Sequence, residues 1–422
     1  MIKKIGIDEL KPGMYLSGLE KEGAAGVIFF VNNILVDGEG DIRRFIESGY
    51  RSAYVDIEEE LPAPLPPVPI DEPRSKEPEK TEAVEEAGII ADAQTLTEPP
   101  APPEEEGPAA VDRVDFHEAV KEAKEIRREA QDLVRGFMAN VRMGKEIEAG
   151  PINESVDRMV GSVFKNQDAL ASLARLKSFD DYTFAHSVNV SILAIAIGRQ
   201  MGLDEGSLHD LGVGAILHDI GKMLIPEAIL KKPGPLSDAE YAEIKKHPML
   251  GSEILLKTKG ISDSSRHVSL HHHERFDGAG YGERISGEEI HVFARVAAVA
   301  DTYDAMTSNR VYQKALLPEE ALKKMYALRG KQFEPSLVER LVKCLGIYPI
   351  GTLVELNTGE MSVVRSLNRD HPLQPNVLMV FDKSGSRLPK PFEVDLKDEI
   401  GRWVVTSKDP GEFAPEIENL IA

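Results

Sequence analysis

At 422 residues the chain is long enough for two or three domains, and a hydrophobic fraction of 42% supplies at least one sizeable core. A formal net charge of −21 argues against nucleic-acid polymers held on a basic face. The single cysteine, Cys344, excludes an intrachain disulfide and fits a reducing compartment. The start, Met1-Ile2-Lys3-Lys4-Ile5-Gly6, lacks the apolar run of a secretory signal. No apolar stretch reaches the roughly 18–20 residues that span a bilayer. The expectation is a soluble cytoplasmic protein without membrane contact.

Residues 1–60 read as a small α+β module. Lys11-Pro12-Gly13-Met14 is a turn, Val27 to Val31 a strand, Asp41 to Gly49 a helix, and Ser52 to Asp56 a returning strand. Residues 61–112 read as a linker, with 12 of the 27 prolines and 13 Asp/Glu against 3 Lys/Arg. Such a segment buries too little apolar area to offset its ordering entropy.

Residues 113–150 turn helical. Phe116, Val120, Ala123, Ala130, Val134, Phe137 and Val141 recur mostly at spacings of three and four. The stripe fits a helix packed on the next domain and fits a homodimer seam equally well. Residues 151–348 are nearly all helix. Segments run from Tyr182 to Met201, Ser207 to Ile220, Ser264 to Glu274, His291 to Ser308, Pro318 to Leu328 and Pro335 to Leu345, and Ser237 with Glu240 makes a capping box. Residues 349–422 form a small β appendix, in which Asn357-Thr358-Gly359-Glu360 joins two strands as a hairpin.

Nine of the eleven histidines lie between His186 and Asp301. The candidate metal ligands are His186, His218 with Asp219, His247, His272 with His273, and Asp301. Facing helices of a bundle project such side chains into one interior. Asp301 follows Ala297-Ala298-Val299-Ala300, and an unpaired carboxylate at the end of an apolar run is costly unless a cation offsets it. Each histidine alone reads as a surface or satisfied core residue; the set on successive helices does not. His209, His267, His271 and His291 are left as solvated or supporting residues. A site with cations can bind an anionic substrate whatever the net charge.

His218-Asp219-Ile220-Gly221-Lys222, then His272-His273-Glu274 with Asp277-Gly278 and Gly280-Tyr281, closely resembles the HD-GYP family of HD-superfamily phosphohydrolases. The likeness covers about residues 150–348. The segment Asp301-Thr302-Tyr303-Asp304-Ala305-Met306 fits it too. Ile7-Asp8-Glu9-Leu10-Lys11-Pro12-Gly13-Met14-Tyr15 resembles a domain of unknown function often found before HD-GYP domains. The resemblance implies a mainly α fold: a helical-bundle HD-GYP domain between the α+β module and the β appendix. It implies hydrolysis of cyclic di-GMP to pGpG, GMP or both, through a hydroxide activated by two divalent cations about 3.5–4 Å apart. Iron or manganese suits the mixed His/carboxylate set. Carried over by position, the seven residues above are the metal ligands, and Asp219 bridges. Asp219 and Lys222 are the catalytic pair, while Lys222, Gly280, Tyr281, Arg310 and Lys314 contact substrate.

Three departures follow from the same comparison. The family's third letter is proline and here it is Gly282, which loosens the loop and weakens the case for docking a GGDEF-domain partner. Tyr182 stands where some members carry a third-metal glutamate, so two metals are expected. Gln313 replaces a usual Lys or Arg. Two other readings stay open: a cyclic di-GMP receptor or scaffold with little turnover, and an HD phosphohydrolase acting on another nucleotide.

Overall fold

The computed structural model describes residues 2–56 apart from 12–14, 22–26, 36–41, 43–45 and 47–49, residues 114–173, residues 182–309 apart from 233 and 235, and residues 315–420 apart from 370, 400, 414–416 and 418–419. The turn at Lys11 to Met14, the helix at Asp41 to Gly49 and the linker at 61–112 fall wholly or largely outside them. The chain divides into two units, Met1–Glu104 and Glu105–Ala422.

In the first unit, β1 (Ile2–Gly6), β2 (Tyr15–Lys21), β3 (Val27–Leu35) and β4 (Tyr50–Asp56) form an antiparallel sheet in the order β1-β4-β2-β3. A 3-10 turn at Ile7–Glu9 follows β1, and Ile7, Leu10 and Ala53 are buried.

The second unit begins with α1 (Phe116–Arg142). Val120, Ala123, Ala130, Val134, Phe137 and Val141 are all buried in the core of their own chain. The apolar stripe is therefore covered from within, which is the first of the two alternatives its periodicity allows. Next come α2 (Gly150–Lys165), α3 (Gln167–Leu173) and α4 (Tyr182–Gln200). The residues of α4 from Val188 to Ile197 are buried on every side. Such a helix has no polar face and must lie at the centre of its bundle. It packs between α5 (Glu205–Ile216) and α10 (Val292–Met306).

Helix starts follow local capping chemistry. Asp204 accepts the Ser207 amide at 3.0 Å to open α5, and Ser262 accepts the Ser265 amide at 3.1 Å to open α9 (Asp263–His271). The capping box of Ser237 and Glu240 opens α7 (Asp238–Ile244) as the spacing requires. Each cap satisfies an orphan amide and is worth about 1 kcal/mol. Helix α5 stops at Ile216, four residues before the sequence places its end. A turn and a 3-10 helix (Ile220–Leu224) follow, then α6 (Glu227–Leu230) and α8 (His247–Lys257). Helices α11 (Pro318–Ala327) and α12 (Pro335–Leu345) complete the bundle.

The C-terminal strands β5 (Leu353–Leu356), β6 (Met361–Ser366), β7 (Asn376–Phe381), β8 (Arg387–Asp395) and β9 (Val404–Lys408) make an antiparallel sheet in the order β8-β7-β6-β5-β9. The expected hairpin joins β5 to β6, with Leu353 opposite Val363. Glu319 of α11 accepts the Ser407 amide at 3.2 Å, and Arg369 pairs with Asp168 of α3 at 2.7 Å, fixing the sheet to the helices. Among the described residues no helix is long and apolar enough to cross a membrane.

Candidate metal centre

His186 lies one turn into α4. His218 and Asp219 occupy the turn after α5. His247 is the first residue of α8, with Pro248 in the first turn, where a missing amide hydrogen costs nothing. His272 ends α9 and His273 follows it, while Asp301 is on α10. Gly221 makes the convergence possible. A Cβ there would lie 2.0 Å from the His247 carbonyl oxygen and 2.5 Å from the Gly251 amide nitrogen. The turn bearing Asp219 can press onto the start of α8 only without a side chain.

Asp219 is at the middle. Its Oδ2 lies 3.3 Å from His218 Nε2 and 4.0 Å from His186 Nε2; its Oδ1 lies 3.2 Å from His247 Nε2 and 3.7 Å from His272 Nε2. Two donor sets result, His186 with His218 and Asp219, and Asp219 with His247, His272 and His273; in each set the donor atoms lie within 4.8 Å of one another. Asp301 joins through His186, whose Nε2 is 3.1 Å from its carboxylate. Of the three consecutive histidines, His272 and His273 enter this centre. His271 turns away, with its ring against His267 at 5.3 Å and its Nε2 at 3.0 Å from Glu283.

The other ring nitrogen of four histidines is committed. Nδ1–H of His218 donates to the Ala215 carbonyl at 2.7 Å, that of His247 to Ile244 at 2.8 Å, and that of His272 to Ser269 at 2.9 Å. His186 Nδ1 donates to Asp304 Oδ2 at 2.7 Å, and Asn189 holds the other Asp304 oxygen at 3.0 Å. For His218, His247 and His272 these bonds fix the tautomer and point the Nε2 lone pair inward, and for His186 the bond fixes the ring's orientation. His218 Nε2 and Asp219 Oδ1 are buried yet have no hydrogen-bond partner among the described residues. Buried polar atoms are rarely left so. A cation at the centre would satisfy both, and the donor set suits one.

The charge states of His272, His273, Asp219 and Asp301 agree with ligation, whereas His186, which burial pushes down but Asp301 and Asp304 raise to about 9, must give up a proton to a cation. Burial, then the neighbouring His218 and His247, pushes His272 down to about 4. Burial and His272 also hold His273 well below its usual value. Both are neutral, the form that ligates. Burial works against a charge on Asp219, but Lys222, 2.6 Å away, and His218 outweigh it and keep the carboxyl well below its usual range. Burial likewise opposes the Asp301 charge, and His186 overcomes it.

A cavity of about 360 Å³ opens beside this centre, bordered by His272, His273, Asp301, Gly280, Tyr281, Tyr241 and Lys245. The Tyr281 ring stacks on His273 at 4.7 Å. The loop carrying Tyr281 is pinned. Glu274 Oε1 accepts the amides of Glu283 at 2.6 Å and Arg284 at 2.8 Å, and Tyr281 N–H reaches the His273 carbonyl at 3.3 Å. Gly282 has φ +126°, which no proline can adopt, and a Cβ there would lie 2.8 Å from Glu274 Oε1. The glycine was expected to loosen the loop. Its backbone is instead a close-packed part of a turn that Glu274 holds shut.

The fold thus gathers His186, His218, Asp219, Lys222, His247, His272, His273 and Asp301 at one place, with Gly280 and Tyr281 on the adjoining cavity. Arg310, Gln313 and Lys314 lie outside the described residues. Asp304, Asn189, Glu274, Tyr241 and Lys245 are additions from the structure. Asp304 had a signal, since it follows Asp301 by three and shares its helix face.

Residues 165–337 match the HD domain, residues 2–152 a domain of unknown function, and residues 353–415 a KOW domain associated with the HD domain. A cyclic di-GMP phosphodiesterase of Pseudomonas aeruginosa is 35% identical over 98% of this chain and 92% of its own length. A 3'3'-cGAMP-specific phosphodiesterase of Vibrio cholerae is 32% identical over 45% of this chain and 37% of its own. An HDG"Y"P protein from Bdellovibrio bacteriovorus superimposes with a TM-score of 0.46 at 17% identity, covering 81% of this chain and 98% of that one. With its helical bundle, its His/Asp centre and a relative matching it end to end, the chain belongs to the HD-GYP family of HD-domain metal-dependent phosphodiesterases.

Proposed function

We propose that this chain hydrolyses cyclic di-GMP to pGpG, GMP or both at a dinuclear centre. The observation that carries the reading is the sharing of Asp219 between two donor sets, with inward His218 Nε2 and Asp219 Oδ1 left unpaired. His186, His218 and Asp301 would hold one cation, His247, His272 and His273 the other, and Asp219 both. Iron or manganese fits these nitrogen and oxygen donors. When bound, two such cations supply an acidified water and offset charge on the phosphoryl oxygens.

The chain's own groups do the rest. Lys222 holds the shared carboxylate ionised at 2.6 Å. Its side chain is 31% exposed, so the ammonium can also meet a phosphate oxygen. Tyr281 covers the outer face of His273, excludes water from it and, with Gly280, walls the cavity for the nucleotide. Arg310 and Lys314 complete the proposed substrate contacts. The relative specific for 3'3'-cGAMP keeps a second substrate in view, a cyclic dinucleotide with one base changed.

The test is turnover by protein purified without oxygen and loaded with ferrous iron or manganese. Chromatography should show pGpG or GMP, and Asp219→Ala should lose metal and product together. Full activity in that variant would refute the centre. Tight binding of cyclic di-GMP by metal-loaded protein without cleavage would favour a receptor. Faster cleavage of 3'3'-cGAMP would reassign the substrate.

A further inference from the structure

The cavity has a second cationic feature, two positions before His247 in the chain. Lys245 caps the C-terminal end of α7, between Ile244, whose carbonyl orients His247, and Lys246, which leads into α8. Its position is therefore set by the same backbone that sets a metal-facing imidazole. Its ammonium lies 4.3 Å from the centre of the Tyr241 ring and 5.4 Å from that of Tyr281. Tyr281 in turn stacks on His273 at 4.7 Å. The three rings and the ammonium form a row leading outward from the metal centre along the cavity wall.

Lys245 is also uncommitted. Arg275, the other cation bordering the cavity, makes two hydrogen bonds to Asp277, at 3.0 and 2.7 Å. Lys222 is held by Asp219. Among the described residues no carboxylate lies within ion-pair distance of Lys245. Aromatic faces attract an ammonium without neutralising it, so two tyrosines hold Lys245 in place while its charge stays available.

We infer that Lys245, held between Tyr241 and Tyr281, binds the phosphodiester of the cyclic dinucleotide that is not being cut. This rests on the cyclic di-GMP reading above and adds a ligand for its second phosphate. The two phosphates of a cyclic dinucleotide face each other across the ring. With one at the metal centre, the other would lie in the cavity that Lys245 borders together with His272, His273 and Asp301. An ordinary phosphodiester has no second phosphate and gains nothing from this lysine. The row thus favours cyclic dinucleotides over simpler diesters by charge, and its cation comes from outside the segment in which Gln313 replaces a usual Lys or Arg.

The experiment compares wild type, Lys245→Gln and Lys245→Arg, all metal-loaded, on cyclic di-GMP and on bis(p-nitrophenyl) phosphate, a diester with one phosphate. A charge-assisted phosphate contact predicts a rise in KM for cyclic di-GMP of roughly ten-fold or more in Lys245→Gln. Its kcat, its metal content and its activity on the simple diester should hold, and Lys245→Arg should restore most of the KM. An unchanged KM overturns the inference. So does a parallel loss on both substrates with loss of metal, because that outcome assigns Lys245 to holding His247. If wild type cleaves the simple diester and not cyclic di-GMP, the substrate reading fails first and takes this inference with it.

Discussion

The two walls of the site, the metal centre and the outer side of the cavity beside it, are built from different material. On one, His186, His218, Asp219, His247 and His272 are buried, and each histidine has Nδ1 tied to a carbonyl or to Asp304. On the other, Tyr241, Lys245, Gly280 and Tyr281 come from a helix end and a loop, and Tyr241 and Lys245 are exposed. The first wall must hold donors rigidly in place, so it is set into the bundle, where packing and backbone carbonyls fix each ring. The second must admit and release a nucleotide, so it sits on a helix end and on a loop that one carboxylate, Glu274, holds in shape.

Loosening the buried wall without touching a donor atom gives the largest effect. Asp304→Asn keeps the shape and removes the charge that holds His186 Nδ1–H. Metal affinity should drop about 10–100-fold, the usual cost of removing such a support. Turnover at limiting manganese should fall in step and return at high manganese. Metal titration with calorimetry checks this. Unchanged affinity would mean that α4 alone orients His186.

The same contrast explains what could be read before the fold was known. The histidine wall was legible because histidines are sparse, fall on successive helices, and end at an aspartate after an apolar run. Burial of the stripe on α1 and the hairpin at Asn357 to Glu360 were legible for a similar reason, since period and turn chemistry are local. Lys245 was not: Lys245 and Lys246 look alike in sequence, and only the tyrosines at 4.3 and 5.4 Å distinguish the first. Glu274 reads as the tail of a histidine run until its bonds to residues nine and ten positions on are seen. Gly282 was read as a loss of stiffness because φ +126° and the close Glu274 oxygen are properties of the closed loop.

That loop offers the next way to separate the walls. Gly282→Pro restores the family's third letter but demands φ near −65° where the backbone has +126°. The turn should open, releasing the Glu274 contacts at a cost of about 2–3 kcal/mol. The expected signature is a raised KM for the nucleotide, roughly ten-fold, with metal content unchanged. An improved KM in this variant would show that the loop accepts a second closed form.

The smallest effect, on stability rather than turnover, concerns the metal-free histidine wall alone. His272 has its pKa pushed down to about 4 from 6.5, chiefly by burial. Its contribution to stability is full above 6.5 and is lost as pH falls through 4, because the unfolded chain takes up the proton first. His186 runs the other way. Burial opposes its charge, but Asp301 and Asp304 raise it to about 9, so its contribution is full below 6.5 and is lost as pH rises through 9. Chelator-treated protein should therefore melt at its highest temperature near pH 6.5, with each arm worth on the order of 3 kcal/mol. His272→Gln should shrink the acid arm, to which His273 also contributes, and Asp304→Asn should shrink the alkaline arm. Tyr241 and Lys245 stand on the other wall, so Lys245→Gln should leave both arms in place. If it shifts either one, the two walls are a single electrostatic unit, and the KM effect of Lys245→Gln would have to be divided between phosphate binding and the charge state of the histidines.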